Sequence, residues 1–408
     1  MIQGQAEGID AGIEVLAHVG EVVGEAQGSE RFKRSAITAA LIQGSVALLM
    51  LGVQPLVLGA LLGAHRITVP QLTWAATVEM LGLGVVAGVM AAAVPHRRLR
   101  GLGLAAMLVL ALANGASLYS SGVGVILCRG AVGAAGGVTL WIVTGMIARS
   151  EAAVRISAIF LGAQSVSQAA LAAALPVMAR FFGDNAGFVG MTVLAVVVIP
   201  LVVFIPDTLS PLRKAASTGR GPLSFRGVTG LLATFLMMAG VVGLWVFVEA
   251  LAKMDGVSEK GAAFAVAASL AAQILGSVAI AIVGPRLPAV PSLVAMCLAN
   301  LLVIVLIGAF HGGAVFVPAI LLFGFLWNAE MPLFFPLLLR ADPTRRVAML
   351  SSGAELLGSA AGPVLTGALA TDADLRPVLF TSAGLFCAAL VCVVLAGLRR
   401  TTKTRASA

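Results

Sequence analysis

From residue 36 to residue 398 the chain alternates apolar blocks, each near 20 residues, with short polar punctuation. No other feature limits its fold as strongly. A hydrocarbon core about 30 Å thick is crossed by a helix of roughly 20 residues, and every backbone N–H and C=O inside it must be satisfied internally. The blocks fall at 36–61, 69–94, 102–121, 123–148, 156–179, 186–206, 227–250, 261–283, 289–308, 314–339, 348–370 and 377–398, which makes twelve crossings. Only residues 120–122 divide the third from the fourth, yet 102–148 is too long to cross once. Hydrophobic residues make up 60% of the chain and charged residues 11%, with mean hydropathy +1.04. Soluble domains carry about a quarter of their residues charged, so a lipid-embedded protein is expected.

The net charge of +8 does not point to nucleic acid, because the basic residues sit in short connections between blocks, as membrane topology demands. With the N-terminus inside, only Arg66, Arg180, Lys253, Lys260 and Arg376 face outward and Arg129 lies within a helix; all the rest of the 26 Lys and Arg are cytoplasmic. Both termini are therefore expected in the cytoplasm, and the chain in a bacterial inner membrane in contact with its lipids, as a monomer. Residues 1–30 hold six acidic residues and no Lys or Arg, the reverse of a signal peptide. Residues 1–35 read as an acidic cytoplasmic tail and 399–408 as a basic one. Cys128, Cys297, Cys387 and Cys392 all lie inside apolar blocks without ligand spacing, so neither disulfide, metal nor cofactor is expected.

The least hydrophobic interior stretch, residues 207–226, divides the blocks six and six, into halves at 36–206 and 227–398. Six is even, so both halves start on the same side, as parallel repeats about an axis along the membrane normal. The expected fold is all-α and polytopic, two pseudo-symmetric six-helix bundles joined by a cytoplasmic tether. No connection is long enough for a soluble domain, so function must reside within the bundle or at its mouths.

Ionisable residues inside such helices mark pathways or buried ties. Arg129 lies about two turns into the fourth helix, followed by Gly133 and Gly137, which leave one face nearly bare for a close helix neighbour. It is expected to point into the central cavity, with a structural tie as the alternative. Glu79, midway along the second helix, is its candidate partner; a carboxyl there is either neutral or paired. Glu330 stands in the tenth helix beside Asn328, among Pro318, Pro332 and Pro336, whose missing N–H groups free backbone carbonyls. Phe323, Phe325, Trp327, Phe334 and Phe335 could stack on a flat substrate or simply pack. Gln164 and Gln168 in the fifth helix, Glu355 in the eleventh, and Gln43 with Ser45 and Gln54 in the first complete the candidate pathway. Asn114, Asn300 and His311 are weaker, each needing only one hydrogen bond to a neighbour.

Two sets of six helices and a longer central link resemble the major facilitator superfamily of secondary transporters across residues 36–398. Arg129 and Gly133 match the family's fourth-helix motif, with Val132 replacing its usual polar residue; in proton-coupled members that arginine is implicated in proton transfer. Gly358, Gly362, Pro363 and Gly367 in the eleventh helix look like the glycine–proline motif that the drug/proton antiporter branch carries in its fifth. Between helices two and three Arg97, Arg98 and Arg100 survive from the family's signature, but no aspartate precedes them, and His96 stands near the expected glycine. In the second half only Arg286 remains of it. Arg340, Asp342, Arg345 and Arg346 form either a charged latch or a solvated basic cluster. The resemblance, to the bacterial drug/proton antiporter-like branch with degenerate motifs, implies transport of a small organic solute by alternating access, coupled to protons, with export favoured. A proton-coupled importer, an uncoupled facilitator and a nontransporting scaffold remain open alternatives. No enzyme is expected, for no nucleophile–base pair has workable spacing.

Overall fold

The computed structural model of the chain describes residues 32–150, 153–210, 223–342, 347 and 350–398. The N-terminal tail to residue 31, the middle of the central link at 211–222, the pair Arg345 and Arg346, and the basic tail at 399–408 lie outside the described residues. Ten stretches are long and apolar enough to cross a membrane. One of them, Ile159–Phe204, holds two helices that meet at a turn over Gly183–Asn185, and a further helix, Ser351–Gly367, has 17 residues. Twelve helices result among the described residues: α1 Arg34–Gly63, α2 Val69–Ala93, α3 Leu99–Ser117, α4 Val123–Ile147, α5 Ala153–Phe182, α6 Ala186–Val198, α7 Phe225–Val246, α8 Glu259–Val283, α9 Ala289–Ala309, α10 Gly313–Ala341, α11 Ser351–Gly367 and α12 Arg376–Gly397.

Local chemistry sets several boundaries. Thr68 and Gln71 form a reciprocal capping box at the start of α2, with Pro70 in its first turn. The Ser224 and Ser258 hydroxyls cap α7 and α8 by accepting from the Gly227 and Gly261 N–H groups. Gly122 has φ of +53°, a conformation that a side chain would strain, which lets the five residues 118–122 reverse the chain between α3 and α4. Three helices are not regular. Helix α1 breaks at Leu48, α7 breaks at Phe247 and continues as Val248–Met254, and α6 tightens into a 3₁₀ segment at Ile199–Phe204 with Pro200 in its first turn.

Internal symmetry is visible in the close helix crossings. In the first half Gly133 of α4 lies so near the backbone carbonyl of Glu79 in α2 that no side chain fits. In the second half Gly324 of α10 meets Ser269 of α8 in the same way. The halves touch through α2 with α11, α5 with α8 and α1 with α7. Chain direction alternates, so one face of the bundle collects Arg97, Arg98, Arg100, Arg149, Arg226, Arg286 and Arg340; this is the basic face. Arg66, Asp184, Lys253, Asp255 and Asp372 lie at the opposite face.

A clasp closes each face of the first half. At the opposite face Arg66, in the α1–α2 turn, donates to the carbonyls of Ser117, Leu118 and Ser120 and pairs with Asp184 at 2.7 Å, binding three connections together. At the basic face the chain leaving α6 returns to the α2–α3 turn. Leu99 N–H donates to Asp207 O at 3.0 Å, Leu209 N–H to His96 O at 3.0 Å, and Arg100 Nε to Ile205 O at 2.7 Å. Arg149 at the end of α4 adds a bond from Nε to Ser210 O at 2.6 Å. At its other end the link is held by Ser224 Oγ donating to Ala341 O and Arg226 Nε donating to Ala396 O. The stretch read from sequence as a cytoplasmic tether is held at both described ends.

Candidate functional site

Two buried polar nodes and one contact between the halves emerge from the packing. The first node is built where α2, α3, α4 and α6 converge. The side chain of Arg129 is fully buried; its Nη2 donates to Asn114 Oδ1 at 2.8 Å and to Ser117 Oγ at 3.0 Å, both on α3. The guanidinium lies over the Phe188 ring of α6, 5.0 Å from its centroid. Glu79 Oε1 approaches Nη1 at 3.9 Å, a loose ion pair whose Oε2 has no hydrogen-bond partner. Glycine makes this approach possible: Gly133 seats on the Glu79 carbonyl, Gly137 on that of Leu83, and Gly82 of α2 on Ala134. Arg129 therefore turns toward α3 and α6 of its own half. The sequence offered a cavity-facing role and a structural tie as alternatives; in this arrangement Arg129 lies against α3 and α6.

The second node lies between α9 and α10. Glu330 is fully buried, and its Oε2 accepts a 2.9 Å bond from Asn300 Nδ2, which also reaches Met296 O. Neither Glu330 Oε1 nor Asn300 Oδ1 has a hydrogen-bond partner, and no cation pairs with this carboxyl among the described residues. Asn328 precedes Glu330 by two positions, about 200° around the helix, and is half-buried, so it is not the partner. Asn114 and Asn300, the residues that complete the two nodes, looked interchangeable with any packing asparagine in the sequence. Only their azimuth on α3 and α9 sets them apart.

The remaining candidates divide among α1, α5 and α11. Gln43 Nε2 donates to Val198 O at 3.1 Å, tying α1 to the end of α6, and Gln168 Nε2 donates to Leu48 O at 2.9 Å, bracing the break in α1 from α5. Gln164 is half-buried one turn earlier in α5. Glu355 accepts from Ser351 Oγ at 3.1 Å within its own helix and joins neither node. Gly358 and Gly362 seat on the carbonyls of Phe235 and Ala239 in α7, so with Pro363 they form a close-packed seam between α11 and α7. The tenth-helix aromatics split: Phe323 and Phe334 are buried, Phe335 is exposed, and Trp327 packs edge-on against Trp245 of α7 with centroids 5.6 Å apart.

The halves are closed together toward the opposite face. Between Gln43 and Gly59 only Leu51 is less than buried, and Met237 to Ala252 are buried throughout. Gly59 faces the Glu249 carboxylate, Gly63 faces Lys253 Nζ, and Glu249 and Lys253 pair at 2.7 Å. Asp372 Oδ1 accepts the Val69 N–H at the start of α2. Helices α2 and α11 run antiparallel, with Gly367 against Thr73 and Gly84 against Leu356. Toward the basic face the next positions, Gly88 and Gly353, have open space where a side chain would be. A separate recess lined by Ile37, Ala40, Val143 and Ile156 is apolar and lies within the first half, away from both nodes.

No protein-family model and no curated protein matches the chain. Solved structures do match over 89% of it. The human organic anion transporter MFSD10 (TETRAN) is 17% identical, is covered over its whole length and superposes with a TM-score of 0.57. A D-xylose–proton symporter is 12% identical, with 97% of its chain covered and a TM-score of 0.67. A mutant of the nucleoside transporter NupG is also 12% identical, with its whole chain covered and a TM-score of 0.69. At these identities the likeness is one of fold, and the fold is that of secondary transporters of the major facilitator type.

Proposed function

We propose that the chain is a proton-coupled secondary transporter of a small organic solute, working by alternating access, with the basic face in the cytoplasm. The observation that carries the coupling is Glu330, a carboxyl fully buried midway along α10 whose described hydrogen bond comes from a neutral amide and which has no cation beside it among the described residues. A carboxyl at membrane depth that lacks a cation is kept there by a proton, and a change of exposure between the two open states can then carry that proton across. Glu79 differs, because Arg129 stands beside it. The structures of like fold support the solute class: their names record an organic anion, a sugar and a nucleoside as cargo, and one is a proton symporter. Export is the direction favoured by the likeness of the α11 glycine–proline pattern to an antiporter motif.

The test is solute-driven proton movement in proteoliposomes loaded with a pH-sensitive dye, across a panel of labelled sugars, nucleosides and organic anions. One member of the panel should move protons in the parent. Glu330→Gln should abolish that signal while retaining exchange of the labelled solute, and Glu79→Gln should retain both. Solute movement with no proton signal in the parent would leave a facilitator, and an unchanged proton signal in Glu330→Gln would remove this carboxyl from the mechanism.

A further inference from the structure

A polar contact between the halves is made by two residues that neither node uses. Pro55 lies inside α1 and has no N–H, so the carbonyl four positions earlier, that of Leu51, loses its helical partner. Leu51 O faces α7, where Trp245 Nε1 donates to it at 3.1 Å. Trp245 is fully buried, and its ring is fixed from behind by α10, against Phe323 at 6.5 Å and Trp327 at 5.6 Å. The indole N–H cannot swing away to another acceptor without breaking that cluster. Each group thus answers a need of the other: the carbonyl is orphaned by a proline, and the N–H is held at the interface by aromatic packing.

We infer that the Trp245–Leu51 hydrogen bond is a mid-depth positioning lock for the opposite face, made when α1 and α7 close there and broken each time that face opens. It sits just below the contacts of Gly59 with Glu249 and of Gly63 with Lys253, and above the point where the halves diverge toward the basic face. Closure and this bond therefore form together. When the face opens, both groups exchange this bond for water, and the net loss biases the protein toward the closed arrangement.

This inference rests on the alternating-access reading, but its test needs neither a solute nor a proton. Thr73 is buried beneath Gly367 at the closed face, so Thr73→Cys reports opening through its rate of labelling by a maleimide in nanodiscs, with the parent chain's native cysteines setting the background. In the Thr73→Cys chain, Trp245→Phe keeps an aromatic ring but removes the donor. Pro55→Ala returns an N–H to the Leu51 carbonyl and removes the free acceptor. Each should raise the labelling rate by about fivefold, the effect of losing one net hydrogen bond. Because both changes break the same bond, combining them should give no further rise. Gel filtration confirms that each variant is folded; should Pro55→Ala fail to fold, Trp245→Phe alone decides. A rate within twofold of the Thr73→Cys parent for Trp245→Phe, or a double variant whose effect is the product of the singles, would overturn the lock.

Discussion

His96 shows what a single residue of the α2–α3 turn contributes. Its ring stacks on Trp141 with centroids 4.3 Å apart, its Nε2 is buried against Gly145, and its Nδ1 lies 3.4 Å from Arg149 Nη2. A guanidinium only donates, so Nδ1 has to accept and the imidazole has to be neutral. Burial, and then the Arg149 charge, push this group below the usual histidine range. The sign of the pH effect follows. As pH falls through the ordinary value of about 6.5, the unfolded chain takes up a proton that the folded chain still refuses, so stability present above that value is lost below it. Thermal unfolding in detergent should show a midpoint that drops between pH 7 and pH 5, and His96→Gln should flatten that drop. Equal slopes in parent and variant would show that the clasp does not depend on a neutral His96. The sequence identified His96 only as a departure from a family motif. Its stacking partner and its cation lie 45 and 53 positions away in the chain, and no local pattern connects them.

At the scale of helices, the division into twelve was legible because a lipid core dictates block length, and even the thin boundary at residues 120–122 coincides with the positive φ of Gly122. What the blocks could not show is azimuth and irregularity. The breaks at Leu48 and Phe247 carry no composition signal, and the turn of Arg129 toward α3 depends on which face of α4 its glycines give to α2. Those glycines make a sharp prediction. A Cβ at Gly133 would collide with the Glu79 carbonyl, a backbone atom of a rigid helix, so Gly133→Ala should force α2 and α4 apart and cost about 1–3 kcal/mol. Gly88→Ala, on α2 where the added methyl meets nothing, should stay within about 0.5 kcal/mol of the parent. Thermal unfolding of the two variants under one detergent condition decides it, and similar midpoints would mean that the crossing is looser than the structure shows.

Across the whole molecule, two bundles with matching glycine crossings meet at the opposite face and part toward the basic one, and the register of α2 against α11 makes that asymmetry measurable. Thr73 pairs with Gly367, Gly84 with Leu356, and continuing the same antiparallel register brings Gly88 to the level of Gly353. A Cβ on Gly367 would lie 2.5 Å from Thr73 Oγ1, within the reach that a disulfide spans, whereas neither Gly88 nor Gly353 has an atom within 4 Å of its added Cβ. The cysteine pair at 73 and 367 should therefore oxidise faster than the pair at 88 and 353 by about tenfold or more under mild oxidant, since population of the closed arrangement sets each rate. The comparison is internal to one helix pair, so overall stability cancels to first order, and reagent access favours the exposed pair at 88 and 353 over the buried pair at 73 and 367, against the expected order. Equal rates would mean that the halves part as readily at one face as at the other, which would remove the basis for placing a lock at Trp245. A faster reaction at 88 and 353 would place the closed face at the basic end instead. The result expected from the structure is a protein resting shut on the side of Arg66 and Asp372, with its two unlike polar nodes enclosed in separate halves and, among the described residues, the α1–α7 contact joining the halves through hydrogen bonding at mid-depth.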